Sequence, residues 1–407
     1  MNKPIVYLSI DFGTSNSCAY SSHNGRICNV TSSSSKSHIP SSIFYRNENE
    51  AVIGDAAEIL HGNQTKAFVR KVKRIIGLDC SQECVKKEME DSTVPIEQFD
   101  NYPRYVLTVN GNTFFRTPVE IASELFKYIL KKVDSENAYD IHACITVPAT
   151  FFVSQTEAVK KAAVLAGLKN VHIVAEPVAA VVGYSLMASS EQDLYLVYDL
   201  GGGTFDATIV KRVKQVYSVM AKSGDPYMGG CDIDSIVYSL LLDYLRGVLD
   251  SDQYDRYFAK LSSRPGYRLK LLDTAREAKE SLSSLEEVTV PIEMRKQTIY
   301  CMITRSELNK RVSPLITKSI QIIKEMMKKI SVSEEMLTTV IMVGGPTQYP
   351  YFAECLQKEF GDIIRRDINV ETVVAQGALA IEENWDKMEL GRMVPKKGLP
   401  PSRRVKR

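Results

Sequence analysis

The sequence predicts an α/β protein made of two similar lobes, because one local pattern occurs in both halves of the chain. In the first half, an apolar strand leads into the segment DFGTSNS at residues 11–17, and a second strand follows. In the second half, two apolar strands flank the segment DLGGGTFD at residues 199–206. Each copy has the strand period and the glycine-containing turn of a β-hairpin. The repeated hairpin therefore indicates a duplicated domain.

Strand patterns alternate with helix patterns along the rest of the chain, as α/β layers require. Residues 141–147 are an apolar, β-branched run that Pro148 ends. Residues 157–167 then have helical spacing, with Gly167 as the expected C-cap. This order predicts a buried strand followed by a helix that packs on it.

Four segments of the second half have similarly clear patterns. Residues 269–285 have the spacing of an amphipathic helix, and residues 340–343 predict a short buried strand. Residues 304–307 carry the capping-box pattern TRSE, and a Ser-Pro pair is expected to open a separate helix over residues 313–330. The second half thus has the same mixture of helices and strands as the first.

We expect three parts in the chain. Lobe I should occupy residues 1–190 and lobe II residues 191–380, so that each lobe contains one hairpin. Residues 381–407 are expected to form a basic, disordered tail, because Lys, Arg and Pro are frequent there and apolar residues are few.

Composition excludes several classes of protein. The net charge of +2 over 407 residues gives no reason to expect specific nucleic-acid binding. The most apolar stretch, residues 171–187, contains Glu176 and Pro177, so no membrane span is expected. The eight Cys and five His lack the spacing of a zinc site, and the first ten residues do not resemble a secretory signal. Together these features predict a cytoplasmic protein.

The two hairpins have the residues of a phosphate-binding loop. Glycine lets backbone N–H groups approach phosphate oxygens, hydroxyl side chains add donors, and the carboxylate of Asp11 or Asp199 would face a magnesium ion. An ordinary tight turn is the alternative for each hairpin, and three consecutive glycines between two aspartates disfavour it for residues 199–206. No GxxxxGK[ST] segment and no GxGxxG segment after a strand offers another nucleotide site.

Lobe II contains further features that would suit a bound nucleotide. Two glycine pairs, at residues 229–230 and 344–345, add turns near predicted strands. On the helix over residues 269–285, Arg276, Lys279 and Ser283 share one face. Taken alone, that face is better explained as a solvated polar stripe.

Together these segments resemble the ATPase domain of the 70-kilodalton heat-shock protein family, in order from about residue 5 to residue 380. The resemblance implies the two-lobed α/β fold that these chaperones share with actin and sugar kinases, which is a duplicated, ribonuclease-H-like fold with a central nucleotide cleft. The segments that carry it are IDFGTSNSC at 10–18, IGDAA at 53–57, VKRIIG at 72–77, ITVPA at 145–149, AEP at 175–177, YDLGGGTFD at 198–206 and VGG at 343–345.

The resemblance also implies roles for individual residues. Asp11 and Asp199 would hold Mg²⁺ through its water molecules, Lys73 would contact the γ-phosphate, and Glu176 would lie near the attacking water. The resemblance also implies a catalytic role for Thr204. The alternatives are a surface charge for Lys73 and a helix-start carboxylate for Glu176. The other implied nucleotide contacts are Gly13, Thr14, Ser15, Asn16, Gly201, Gly202, Gly203, Gly229, Gly230, Arg276, Lys279, Ser283, Gly344, Gly345, Gln348 and Glu371.

This chain departs from the family pattern at three points. Arg276 stands where the family usually has an acidic residue that faces the ribose, and Gln348 stands where an arginine usually stacks on adenine. Either the two changes weaken adenosine binding, or Arg276 stacks on the base in place of the missing arginine. Thr156 replaces an arginine that usually reports nucleotide state. Without the family's linker and peptide-binding domain, peptide clamping of the usual kind is not expected.

We therefore expect a slow, chaperone-type ATPase that uses ATP/ADP and Mg²⁺, and K⁺ as a further candidate ion. Its expected partners are another chaperone, a J-domain protein or a nucleotide-exchange factor. The alternative is a non-catalytic, nucleotide-binding regulator or co-chaperone of actin-like fold. A small-molecule kinase of the same fold is disfavoured, because no acceptor-site motif stands out.

Overall fold

The structure is a computed structural model that describes residues 3–33, 36–62, 64–186, 192–294, 297–365 and 368–390. Its strands are β1 Ile5–Asp11, β2 Asn16–His23, β3 Arg26–Asn29, β4 Ile39–Pro40, β5 Ile43–Asn47, β6 Glu50–Ile53, β7 Phe68–Val69, β8 Ile96–Phe99, β9 Tyr102–Val109, β10 Asn112–Arg116, β11 Asp140–Val147, β12 Asn170–Ala175, β13 Gln192–Leu200, β14 Phe205–Val213, β15 Val216–Asp225, β16 Glu287–Glu293, β17 Thr298–Thr304, β18 Thr339–Val343, β19 Ile364–Arg365 and β20 Glu389–Leu390. Its α-helices are α1 Asp55–Leu60, α2 Glu83–Asp91, α3 Pro118–Val133, α4 Val153–Leu165, α5 Glu176–Ser185, α6 Gly230–Val248, α7 Ser251–Ser263, α8 Pro265–Ser281, α9 Arg305–Lys329, α10 Pro350–Phe360 and α11 Val373–Glu383.

Two six-stranded sheets confirm the predicted duplicated α/β fold. The first sheet has the order β12-β11-β1-β2-β3, with β4 paired to β2, and the second has the order β19-β18-β13-β14-β15-β20. In each sheet the first strand of a predicted hairpin pairs antiparallel with its second strand and parallel with a later strand. Because the two hairpins have equivalent places in their sheets, both turns lie at corresponding strand ends.

Helices α5 and α11 join the two halves at a close crossing. An added Cβ at Gly377 of α11 would lie 1.8 Å from the carbonyl oxygen of Ala179, and one at Gly183 of α5 would lie 2.4 Å from that of Val373. Glycine is therefore needed at both positions to let the backbones approach. α11 also packs on β1 and β11 of the first sheet, whereas α5 packs on both sheets, against β12 of the first and β13 and β14 of the second. Helix α11, which lies mostly within the predicted lobe II, thus packs on the sheet of the first half, and the boundary at residue 190 stays a prediction.

Residues 381–390 are part of the fold, so the predicted start of the tail at residue 381 is wrong. α11 continues to Glu383, and β20 pairs in parallel with β15. Between them, the ring of Trp385 stacks on His172 with 3.7 Å between the centroids. Trp385 and Leu390 pack against the core that the two halves share, and this apolar burial outweighs the polar local composition. Residues 391–407 lie outside the described residues.

Helix α9 is longer than predicted. The predicted capping box at its start is present, because Thr304 and Glu307 each bond the backbone N–H of the other. The helix then runs through Pro314, which was expected to open a separate helix. Proline cannot donate to the carbonyl of the residue four positions earlier. Val312 and Ile316, two residues before and after it, are buried in the core of the second half and anchor the helix there.

The other predicted elements differ from the structure at their ends. α4 begins at Val153, where Gln155 accepts a hydrogen bond from the backbone N–H of Phe152 at 3.2 Å, and it ends before Gly167. The predicted helix over residues 269–285 is α8, which ends at Ser281. Among the described residues, no helix is long and apolar enough to cross a membrane.

Candidate functional site

A cleft of about 510 Å³ lies between the turns of the two repeated hairpins. The sequence-predicted site residues that line it are Asp11, Gly13, Thr14, Ser15, Asn16, Lys73, Glu176, Asp199, Gly201, Gly202, Thr204, Gly230, Arg276, Lys279, Ser283, Gly344, Gly345, Gln348 and Glu371. Gly203 and Gly229 do not belong to this lining. The fold thus gathers residues from both halves of the chain around one cavity.

The first hairpin turn is compact and is held by hydrogen bonds within the turn and to β11. The side chain of Asp11, at the end of β1, accepts a hydrogen bond from the hydroxyl of Thr146 at 3.0 Å. The backbone N–H of Gly13 donates to Ser17 Oγ at 3.2 Å. A Cβ at Gly13 would lie 1.9 Å from the carbonyl oxygen of Asn16, so only glycine fits there. These contacts leave the turn facing the cleft.

The second hairpin turn rests on the start of α6. The backbone N–H of Gly230 donates to Gly201 O at 2.9 Å, and that of Cys231 donates to Gly202 O at 2.8 Å. An added Cβ at Gly229 would lie only 2.6 Å from the backbone of Gly203. Gly203 and Gly229 therefore pack against each other behind the turn, and they support the cleft without lining it.

Lys73 and Glu176 form a buried ion pair at the cleft. Their atoms Nζ and Oε1 are 2.6 Å apart, and both side chains are less than a tenth exposed. Burial raises the pKa of Glu176 to about 7, although Lys73 opposes the shift. Burial lowers the pKa of Lys73, but the carboxylates of Glu176 and Asp11 overcome it and raise that pKa above its usual value. The surface-charge alternative for Lys73 is therefore wrong.

Carboxyl groups outnumber cations at this end of the cleft. Burial, followed by the charges of Glu176 and Asp206, raises the pKa of Asp199 well above its usual range. Burial also raises the pKa of Asp206, which accepts hydrogen bonds from the hydroxyls of Thr150 and Thr204. Removing several like charges from water is costly unless a cation balances them. The site consequently favours a ligand that brings positive charge.

The donor set fits Mg²⁺ held through water. Asp11 and Asp199 are carboxylates at the ends of two equivalent strands, and oxygen is the ligand that Mg²⁺ prefers. In the part of the chain that the structure describes, no group of three or more His, Cys, Asp or Glu is arranged to hold a metal ion. Mg²⁺ dehydrates reluctantly and commonly binds through one or two carboxylates with its waters retained. Asp11 and Asp199 are the residues that would hold it.

The helix α8 brings its polar face to the other side of the cleft. Lys279 Nζ lies 2.6 Å from Asp234 Oδ1, and Arg276 Nη2 lies 3.5 Å from Asp273 Oδ1. Asp273 also pairs with Arg70, a residue of the first half, at 2.8 Å. Because this face lines the cavity, a wholly solvated polar stripe is not the explanation for it.

The end of the cleft at Gln348 contains a contact that the sequence did not reveal. The amide of Gln348 donates to Glu371 Oε1 at 2.9 Å. Ser37 Oγ donates to Glu371 Oε2 at 3.0 Å, and His38 Nδ1 lies 3.2 Å from the same oxygen. Ser37 and His38 lie more than 300 positions before Glu371, so no local pattern could bring them to it.

Further ionisable side chains that we did not predict line the cleft. They are Lys36, His38, Asp55, Glu58, Asp234, Glu277 and Glu280. The helical spacing of α8 could have revealed Glu280, which lies four positions after Arg276. Glu277 lies on the same helix, next to Arg276, and Asp55 lies within the segment IGDAA at 53–57. The remaining residues lack a local signal, since their segments come together only in the folded chain.

Comparisons with known proteins agree with this architecture. The sequence model of the Hsp70 protein family matches residues 7–383. The chain is 31% identical over 386 residues to a chaperone protein HscA homolog of Aromatoleum aromaticum, covering 94% of this chain and 58% of that relative. It is 34% identical over 378 residues to the chaperone protein HscA of Buchnera aphidicola, covering 92% of this chain and 58% of that relative. The chain thus spans less than two thirds of these relatives.

Proposed function

This chain belongs to the Hsp70 protein family, and from this premise we propose that it binds ATP and hydrolyses it slowly in the cleft between its two hairpins. Its fold is the two-lobed, actin-like α/β fold of that family. The observation that supports the proposal most strongly is the meeting of both glycine turns, Asp11, Asp199 and the Lys73–Glu176 pair around one cavity.

The hairpins would act by binding and orienting the phosphates. Backbone N–H groups and the hydroxyls of Thr14, Ser15 and Thr204 are donors that match phosphate oxygens. An ammonium has three N–H donors, and Lys73 uses one for Glu176, so others remain for a γ-phosphate. Glu176, held in place by that bond, would orient the attacking water. This is catalysis by positioning and electrostatics, without a covalent intermediate.

Mg²⁺, when bound, would neutralise charge that develops on the phosphates. Binding of K⁺ in the cleft stays a prediction. The excess of carboxyl groups around Asp199 explains why hydrolysis should depend on a divalent cation.

The broader cellular role rests on the family membership alone. A chaperone function with a J-domain protein, a nucleotide-exchange factor or another chaperone as partner is part of the proposal, as is a cytoplasmic location. The hydroxyl of Thr156 donates to Phe152 O at 3.2 Å within α4. The arginine of the family pattern is thus replaced by a side chain that bonds its own helix.

Gln348→Arg should tighten ADP and ATP binding several-fold and change the hydrolysis step little. A guanidinium stacks on a base and is weakly hydrated, so it should recover on the order of 1 kcal/mol relative to the amide. ADP affinity should be measured by calorimetry in Gln348→Arg, in Arg276→Glu and in the double variant. If Arg276→Glu weakens binding and Gln348→Arg has no effect, Arg276 already stacks on the base and our account of Gln348 is wrong.

Titration calorimetry of the wild-type chain with ADP, ATP and GTP in the presence of Mg²⁺ tests the proposed binding. Binding of both adenine nucleotides, lost on substitution of both hairpin aspartates by alanine, is expected. Failure of every nucleotide to bind would contradict the proposal. Binding followed by no hydrolysis would support the regulator instead of the ATPase.

A further inference from the structure

One carboxylate connects the two halves of the chain at the Gln348 end of the cleft. Glu371 Oε1 accepts a hydrogen bond from Gln348, which lies in the turn after β18 of the second sheet. Glu371 Oε2 contacts Ser37 and His38, which lie just before β4 of the first sheet. The side chains of Glu371 and His38 are 30% and 16% exposed, so these bonds are partly shielded from water. Shielding makes their rupture costlier than that of a surface contact.

The residues on both sides of Glu371 are tied to turns that line the cleft: Ser37 and His38 to the first hairpin turn, and Gln348 to the turn after β18. β4 pairs with β2 through Asn16 and Ser17, and Ser41 N donates to Ser15 O at 2.7 Å, so the Ser37–His38 segment is tied to the first hairpin. On the other side, Gly344 N donates to Val370 O at 3.4 Å. A movement of either turn would therefore change the hydrogen bonds of Glu371.

As an ionised carboxylate, Glu371 can accept hydrogen bonds from several donors at once. The hydrogen bond from His38 is the largest of the effects that lower the pKa of Glu371, which falls to about 2. Glu371 is consequently ionised near neutral pH and can only accept hydrogen bonds. That restriction makes Gln348 present its amide N–H group to Glu371, and it fixes the orientation of that side chain in the cleft.

We infer that Glu371 is a positioning residue that, with Ser37 and His38, forms a clasp across the Gln348 end of the cleft and slows the release of bound nucleotide. The inference rests on the proposed function, because it assigns to the clasp a role in the same cavity. Bound nucleotide leaves only when the Gln348 turn separates from the Ser37–His38 segment. The clasp therefore acts on release and not on the cleavage of the phosphate bond.

Stopped-flow release of a fluorescent ADP analogue, chased with unlabelled ADP, measures this role. Glu371→Gln should release the analogue about tenfold faster, because a carboxamide cannot accept on both sides. Ser37→Ala should release it a few-fold faster, and Ser37 does not line the cavity. Cleavage of prebound ATP in a single turnover should proceed at the wild-type rate in Ser37→Ala, because Ser37 does not line the cavity. In the double variant the loss of Ser37 should add nothing.

Gln376→Leu is the matched control. Gln376 lies on α11, five positions after Glu371, and its amide donates to the Tyr20 hydroxyl of β2 at 3.3 Å, outside the cavity lining. Its release rate should equal that of the wild type. If Glu371→Gln and Ser37→Ala release the analogue at the rate of this control, the clasp is overturned and the proposed function stands. The same holds if the increases in release rate of the two variants add in the double variant. A wild-type chain that binds no ADP would overturn the proposed function and the clasp together.

Discussion

Asp199→Asn should reduce single-turnover ATP hydrolysis by at least about 100-fold, which is the usual effect of losing one electrostatic contact to a transition state. The carboxamide has the shape of the carboxylate but cannot carry the charge that would face Mg²⁺. Since burial and the charges of Glu176 and Asp206 already disfavour the ionised form of Asp199, the neutral replacement should relieve repulsion. The variant should therefore unfold at the same temperature as the wild type or higher in the absence of nucleotide.

Lys73→Ala provides the contrast. It should abolish hydrolysis as well, but it leaves the buried carboxyl of Glu176 without its partner at 2.6 Å. Loss of one member of a buried pair commonly costs about 3–5 kcal/mol, so this variant should unfold more readily. Thermal unfolding and single-turnover hydrolysis of both variants are the measurements. If either variant hydrolyses ATP at the wild-type rate, the assignment of that residue to the catalytic site is wrong.

Gly377→Ala should destabilise the fold by about 3 kcal/mol or more, at the upper end of what overpacking costs. Its Cβ would lie 1.8 Å from Ala179 O and 2.7 Å from Gly183 N, which are backbone atoms of α5. Neither can move without separating the two helices that join the halves of the chain. The urea concentration at half-unfolding should fall accordingly.

Gly247→Ala is the matched control for this substitution. Gly247 also lies in a helix, α6, but nothing comes within 4 Å of an added Cβ there. Alanine has the better helix propensity, so stability should stay the same or rise by up to about 1 kcal/mol. Equal unfolding midpoints for Gly377→Ala and Gly247→Ala would show that the crossing of α5 and α11 tolerates separation.

The sequence revealed the parts of the cleft that local chemistry determines. Each phosphate hairpin is a continuous segment with its own strand period and glycine turn, so residues 11–17 and 199–206 could be recognised individually. Their meeting across one cleft followed from the duplication. The capping box at Thr304 was equally local, and it is present in the structure.

Features that depend on distant contacts could not be predicted. Gly377 matters because α5 passes against it, and nothing in its own segment shows that approach. The clasp at Glu371 depends on Ser37 and His38, which come from the opposite end of the chain. The start of the tail was misplaced because composition does not show that Trp385 packs against the core that the two halves share. In each case, tertiary packing decides what the local pattern leaves open.

Single-turnover hydrolysis of radiolabelled ATP by the wild-type chain, with Mg²⁺ or with EDTA, tests the central claim most directly. With Mg²⁺, the account predicts slow, complete release of labelled phosphate from bound ATP, and with EDTA it predicts none. A zinc-selective chelator should leave the Mg²⁺ reaction unchanged. Bound ATP that stays intact with Mg²⁺, or hydrolysis that proceeds equally in EDTA, would contradict the claim that this cleft is a magnesium-dependent ATPase site.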